Sequence, residues 1–258
     1  MYGIVLHPLV PVRAADSERS EMVTQLLFGE LVSISEVKDK WLLVKNIADD
    51  YCGWVDRKMI QSISNDDFEL LSKSAFELLV RPLTNCRYNN TEKSLYLPAG
   101  SKIYIIDGGI RPQFLPDIYP ESHGQSGIKD FSGTDIILLA KQFLNAPYLW
   151  GGKSILGIDC SGLVQLVFSF FKISLARDAS EQVNVGEVVS FPDEVREGDL
   201  AFFVNDNGNI IHVGILLGSN RIIHASGSVK IESIDATGIV SGQTGEYTHR
   251  LKVVKRVF

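Results

Sequence analysis

Polar and apolar residues alternate along the N-terminal part of the chain, and a helical period takes over only near its middle. In LVSISEV, Val32 and Ile34 alternate with Ser33 and Ser35, the period-two signature of a strand with one buried face. WLLVKN follows after a charged turn, and YCGWVDRKMI closes the block. Strands this short, separated by turns, predict a small β-barrel over residues 1–62. LYLPAGSKIYII, residues 95–106, repeats the theme more weakly, with a glycine ahead of Ile103 and Ile105. A second, diverged barrel is expected over 63–125. The glycine- and proline-rich GGIRPQFLPDIYPESHGQSG predicts a connection and a domain boundary.

From Thr134 the period changes. TDIILLAKQFLNAP puts Ile136, Ile137, Ala140, Phe143 and Leu144 on one face of a helix that Pro147 ends. The loop YLWGGKSILGID leads to a second helix opened by Cys160, where Leu163, Val164, Val167, Phe168 and Phe171 form a wide apolar stripe. GDLAFFV and IIHVGILLG read as strands flanking the turn NDNGN, and RIIHAS reads as a third. Helices followed by an antiparallel meander predict an α+β domain over 126–258.

Composition narrows the function. With 45% hydrophobic and 22% charged residues, the chain of 258 residues is globular in character, with ample material for a core. A net charge of −6 argues against a nucleic-acid partner, which needs a basic stripe, and weakly against an anionic membrane surface. No segment approaches a membrane span of about 20 apolar residues. The opening residues lack a charged, apolar, small-residue leader pattern, so the expected place is the cytoplasm, or the periplasm or cell envelope if a leader has been removed. Cys52, Cys86 and Cys160 make neither a disulfide framework nor a CxxC metal pair.

The chemistry gathers on Cys160. Only a thiolate attacks well, and a helix N-terminus and a nearby histidine both favour it. Gly157 allows the turn ahead of Cys160, and the helical run begins within one turn after it. His212 alternates with Ile211 and Val213 on a strand, and Gly214 beside it leaves space for a substrate or for the cysteine helix. His224 holds the equivalent place on the next strand, suited to orienting His212. A lone buried cysteine is ordinarily inert packing, and a lone strand histidine an ordinary core residue. A Cys-His-His zinc site has suitable ligand types, but the spacing fits no standard finger.

Two resemblances follow from these motifs. TQLLFGELVSISEVKDKWLLVKN and YCGWVDRKMI resemble a bacterial SH3 domain, over about a quarter of the chain. YLWGGKSILGIDCSGLVQ, REGDLAFF, HVGI and IIHAS resemble, in order and spacing, the NlpC/P60 cysteine peptidases, papain-like enzymes that cleave peptides of the bacterial cell wall. That resemblance implies Cys160 as nucleophile, His212 as general base and His224 as the third, polar member, with no metal and no cofactor. SH3 domains ahead of the catalytic domain, with LARDASEQ after the helix, are similar to the γ-D-glutamyl-L-diamino acid endopeptidases, which act on murein peptides with a free N-terminal L-Ala. The same similarity implies Tyr148 as an oxyanion partner and Asp159, Ser161 and Asp178 as substrate-contacting positions. From the first barrel it implies Tyr51 and an acid, Glu21 ahead of Glu18 and Glu30. Ala179 departs from the serine expected after Asp178, which puts one substrate hydrogen bond in doubt. The alternatives are an envelope hydrolase or amidase acting on intact wall, and an inert wall-binding protein. Trp41 and Trp54 are expected in the barrel core, Cys52 and Cys86 as buried or spare thiols, and His7, His123 and His249 as incidental.

Overall fold

The computed structural model describes residues 1–89, 93–106, 111–121 and 130–258, and the chain divides into two compact units, Met1–Gly127 and Ile128–Phe258. The expected boundary at 125/126 and His123 lie outside the described residues.

The first unit opens with an antiparallel sheet in the order Met22–Leu27, Leu9–Arg13, Cys52–Asp56, Trp41–Asn46, Leu31–Lys38, Tyr2–Ile4, Gln61–Ile63. Val32 and Ile34 point inward to join Val10, Val12, Leu26, Leu42, Val44 and Val55, while Ser35 is exposed, as the alternation requires. Trp41 is buried, but Trp54 is only half-buried, beneath the Lys38 ammonium. The core reading of Trp54 fails because Val55 takes the inward step of that strand.

Beyond residue 63 the chain departs from the expected strand pattern. Ser64 caps a helix, Asn65–Lys73, its hydroxyl accepting the Asp67 N–H at 3.0 Å. Ala75–Leu78 then pairs with Lys102–Ile105, and Leu83–Tyr88 lies between Ser94–Pro98 and Ile118–Pro120. The inward step of the strand Lys102–Ile105 belongs to Tyr104, and Ile105 is exposed, the reverse of the expected face. Tyr104 packs with Leu71 and Leu115 against Ile4 and Leu31 of the first sheet. The glycine- and proline-rich stretch is more than a connection: Leu115 and Ile118 are buried, and Ile118–Pro120 is a strand.

Among the described residues, the second unit packs three helices, Gly133–Lys141, Cys160–Ser169 and Ala179–Gln182, with a sheet in the order Glu187–Val189, Tyr247–Arg256, Leu200–Val204, Ile210–Leu216, Arg221–Ser226, Ser228–Ile234, Gly238–Val240. Gly238–Val240 pairs back onto Tyr247–Arg256, so among the described residues six of these strands close into a barrel. Ala201, Phe203, Leu216, Ile222, Ile234, Ile239 and Val254 form its apolar cluster. The first helix ends at Lys141, ahead of Phe143 and Leu144, because the Gln142 N–H turns back to Leu139 O and Asn145 sits at φ 69. Phe143 is buried all the same. The Cys160 helix is buried on every side from Cys160 to Phe168 and packs against the strands that carry His212 and His224.

Candidate active site

The start of the Cys160 helix is set by Asp159. Its backbone is extended (φ −96, ψ 178), and its Oδ1 accepts the Gly162 N–H at 2.7 Å. Cys160 is therefore the first helical residue, at the end where free N–H groups and the dipole favour an anion. Gly162 is required by close approach, since a Cβ there would lie 2.4 Å from Gly152 O. Gly157 serves in the same way, against Leu149, rather than as the turn residue expected.

Arg177, 1% exposed, is the counter-charge that makes this cap tolerable in the interior. It donates to both Asp159 oxygens, at 3.0 and 2.6 Å, and to Ser161 Oγ at 2.9 Å. The Gly151 N–H adds a bond to Asp159 Oδ2 at 2.8 Å. Asp159 and Ser161, expected at substrate-contacting positions, are buried and engaged with Arg177, so the geometry gives both the task of holding the helix start. Gln182, fully buried, donates to Ser161 O and Ala176 O and ties the same region to the short helix after Asp178. Asp178 is half-buried at the head of that helix.

The histidines come from the barrel. His212 and Gly214 take one face of their strand, and that face continues into Leu216 of the apolar cluster. His212 Nε2 and His224 Nδ1 are 2.9 Å apart. Gly214 makes this possible, because a Cβ there would meet His224 Cβ at 2.9 Å and Ile222 Cδ1 at 2.7 Å. The space expected for substrate or helix is thus filled by the neighbouring strand. Val213, next to His212, presents its backbone N–H to the Cys160 thiol, as does Ser161, which brings the helix start and the His212 strand together at the sulfur. Tyr148 lies close enough to feel the Cys160 and Asp159 charges.

Two partners were not anticipated. His224 Nε2 lies 2.9 Å from Glu232 Oε2, and Glu232 also accepts from Lys230 Nζ at 3.2 Å and from the Gly242 N–H at 3.0 Å. The available signal was the alternation in SVKIESI, which puts Lys230 and Glu232 on one face, with Lys230 directly opposite His224. His249, expected to be incidental, stacks on His212 with ring centroids 4.2 Å apart. No local pattern reveals it, because the strand Tyr247–Arg256 arrives by closing the barrel. Among the described residues, no group of three or more His, Cys, Asp or Glu is placed to hold a metal ion.

Burial dominates the electrostatics. It pushes the Cys160 thiol up to about 11, helped by Asp159, against the downward pull of the two N–H groups and Arg177. Burial likewise holds His212 well below the ordinary histidine value, with His249, His224 and Lys230 adding to the effect. His224 falls to about 4, since burial outweighs Glu232. Tyr148 is raised to about 12, first by burial and then by Cys160 and Asp159. Burial thus favours the uncharged forms of Cys160, His212 and His224.

Tyr51 and Glu21 belong to the first unit. Tyr51 is half-buried just ahead of the strand Cys52–Asp56, and Glu21 is exposed just ahead of Met22–Leu27.

Residues 145–247 match the NlpC/P60 family, and residues 12–60 match the bacterial dipeptidyl-peptidase Sh3 domain. The chain is 30% identical over 259 residues to the gamma-D-glutamyl-L-lysine dipeptidyl-peptidase of Bacillus subtilis, covering 91% of this chain and 81% of that protein. It is 26% identical over 251 residues to the protein of the same name from Bacillus cereus, covering 88% of this chain and 74% of the other. An NlpC/P60 family protein from Bacillus cereus has the same fold, with a TM-score of 0.80 at 20% identity over 99% of both chains.

Proposed function

The chain belongs to the NlpC/P60 family of cysteine peptidases, and from that premise we propose that it hydrolyses the γ-D-glutamyl bond to an L-diamino acid in cell-wall peptides whose amino terminus is free. The observation that carries the reading is Cys160 at the capped start of a buried helix, packed on the strand of a His212 already bonded to His224. The names of the two full-length relatives supply the bond, and the matched SH3 domain accompanies it as in that subgroup.

In this reading Cys160 Sγ attacks the γ-carbonyl carbon while its proton passes to His212 Nδ1, the ring nitrogen that does not face His224. The oxyanion is held by the Cys160 N–H and the Tyr148 phenol. Collapse of the tetrahedral intermediate expels the diamino acid amine, which takes the proton from His212 and leaves a thioester. Water, giving a proton to His212, attacks the thioester and frees the γ-glutamyl carboxylate and the thiol. Asp178, at the head of the helix after Arg177, supplies the carboxylate for the free ammonium. Released short peptides, rather than intact wall, meet the demand for a free amine, which suits a role in peptide recycling.

The test compares L-Ala-γ-D-Glu-L-Lys with its N-acetylated form, using the wild type and Cys160→Ala. The free peptide is cleaved by the wild type alone, and acetylation suppresses cleavage. Equal rates on both peptides point to an enzyme of intact wall, and full turnover by Cys160→Ala excludes the thiol mechanism.

A further inference from the structure

The ring nitrogens of His212 and His224 form a chain in which each proton's place depends on the next partner. A bare ring nitrogen is available to a thiol proton only if the other nitrogen of the same neutral ring carries the hydrogen. The chain ends on Glu232, whose carboxylate only accepts. His224 Nε2 lies 2.9 Å from Glu232 Oε2, so that nitrogen carries a hydrogen, and His224 Nδ1, in the neutral ring, is bare. His212 Nε2, 2.9 Å from that bare nitrogen, therefore donates, and His212 Nδ1 is left bare.

We propose that Glu232 is a positioning residue that locks His224, and through it His212, in the tautomers that leave His212 Nδ1 bare to receive the Cys160 proton. The inference rests on the reading of His212 as the general base. Three donors converge on the carboxylate: His224 Nε2 and Lys230 Nζ on Oε2, and the Gly242 N–H on Oε1. A carboxylate satisfies all three. A carboxamide does not, because its NH2 group faces either the Gly242 N–H or the Lys230 ammonium, and on the Oε2 side it drives His224 into the reverse tautomer.

Burial pushes the Glu232 carboxyl up, but the Gly242 N–H, His224 and Lys230 pull it below its ordinary value, so the carboxylate is ionised at neutral pH. The charged groups facing the two rings are Glu232 and Lys230 from one neighbouring strand, with His249 arriving from the closing strand. When His212 takes the thiol proton, its Nε2–H keeps its bond to His224, and Glu232 opposes the new positive charge through that ring.

The experiment is Glu232→Gln, with Glu232→Asp beside it to retain the charge should the amide perturb folding, and thermal melting of both. Ring-nitrogen NMR, assigned with single histidine variants, reads the tautomers without any substrate. The wild type shows His212 and His224 protonated at Nε2 and bare at Nδ1. Glu232→Gln loses that pattern, and kcat on L-Ala-γ-D-Glu-L-Lys falls by about 10- to 100-fold with KM unchanged, by analogy with loss of the partner that orients a metal-ligating histidine. Glu232→Asp keeps the wild-type tautomers and a higher kcat than the amide. An unchanged tautomer pattern in Glu232→Gln, or kcat within about twofold of wild type, overturns the proposal. Should the wild type leave the peptide intact, the peptidase reading fails, and the NMR comparison still decides the role of Glu232.

Discussion

In the proposed mechanism, a thiol held near 11 beside an imidazole held well below its ordinary value gives up its proton during attack, not before it. His212 must be neutral to accept that proton, and its lowered value keeps it neutral through the range where an exposed histidine charges. The kcat/KM profile is therefore expected to stay flat as pH falls through 6.5, the ordinary histidine value, and to drop only at more acidic pH. An acid limb centred on the ordinary value contradicts this, and steady-state assays across buffers decide it. Gly214→Ala is the second expectation at this scale. Its methyl meets Ile222 and His224 at under 3 Å, so about 1–3 kcal/mol of stability is lost and the His212–His224 bond is displaced, with kcat falling alongside. Denaturant titration and turnover check it together. The placement of Cys160, His212 and His224 was readable because each rests on a local pattern: a helix start, then two period-two steps. The buried Arg177 was missed because a lone charge in a sequence says nothing of its burial until its partners are known, and Glu232 because the alternation that places it beside Lys230 does not show which strand it faces.

The helix start is an element held by a charge pair. Removing Arg177 leaves the Asp159 carboxylate buried without its counter-charge, and loss of one partner of such a pair costs about 3–5 kcal/mol. Arg177→Met is accordingly expected to unfold at lower denaturant than wild type, and Asp159→Asn in the same background to recover part of the loss. Chemical denaturation of the wild type, Arg177→Met, Asp159→Asn and the double variant measures it, and additive losses contradict the pairing. Elements with a strong period were legible: the strands around Val32, His212 and His224, and the helix from Cys160. The helix Asn65–Lys73 was missed, although Ser64 followed by Asp67 is a capping pattern, because a barrel repeat was expected there. Tyr104 and Ile105 exchange faces because Ile4 and Leu31 of the first sheet, distant in sequence, supply the surface against which this strand packs.

Over the whole molecule, buried neutral histidines tie folding to pH. His224 falls from 6.5 to about 4 on folding, and His212 and His249 also fall. As pH drops below 6.5 the unfolded chain binds protons that the folded chain refuses. The stability these groups contribute is complete above 6.5 and drains away as pH falls towards 4. The melting temperature is expected to decline over that window, less steeply in His224→Gln, and parallel declines contradict the assignment. Barrel closure, which brings His249 onto His212, was not legible because it joins strands with no local signal of pairing. The central claim joins one atom to one bond: Cys160 Sγ acylated by the γ-carboxyl of D-glutamate. Rapid acid quench of the protein with L-Ala-γ-D-Glu-L-Lys, followed by digestion and mass spectrometry of the Cys160 peptide, reads both at once. The account predicts an L-alanyl-γ-D-glutamyl adduct on Cys160, absent with the N-acetylated peptide. Cleavage without an adduct and undiminished in Cys160→Ala, or a different acyl group on the sulfur, contradicts it.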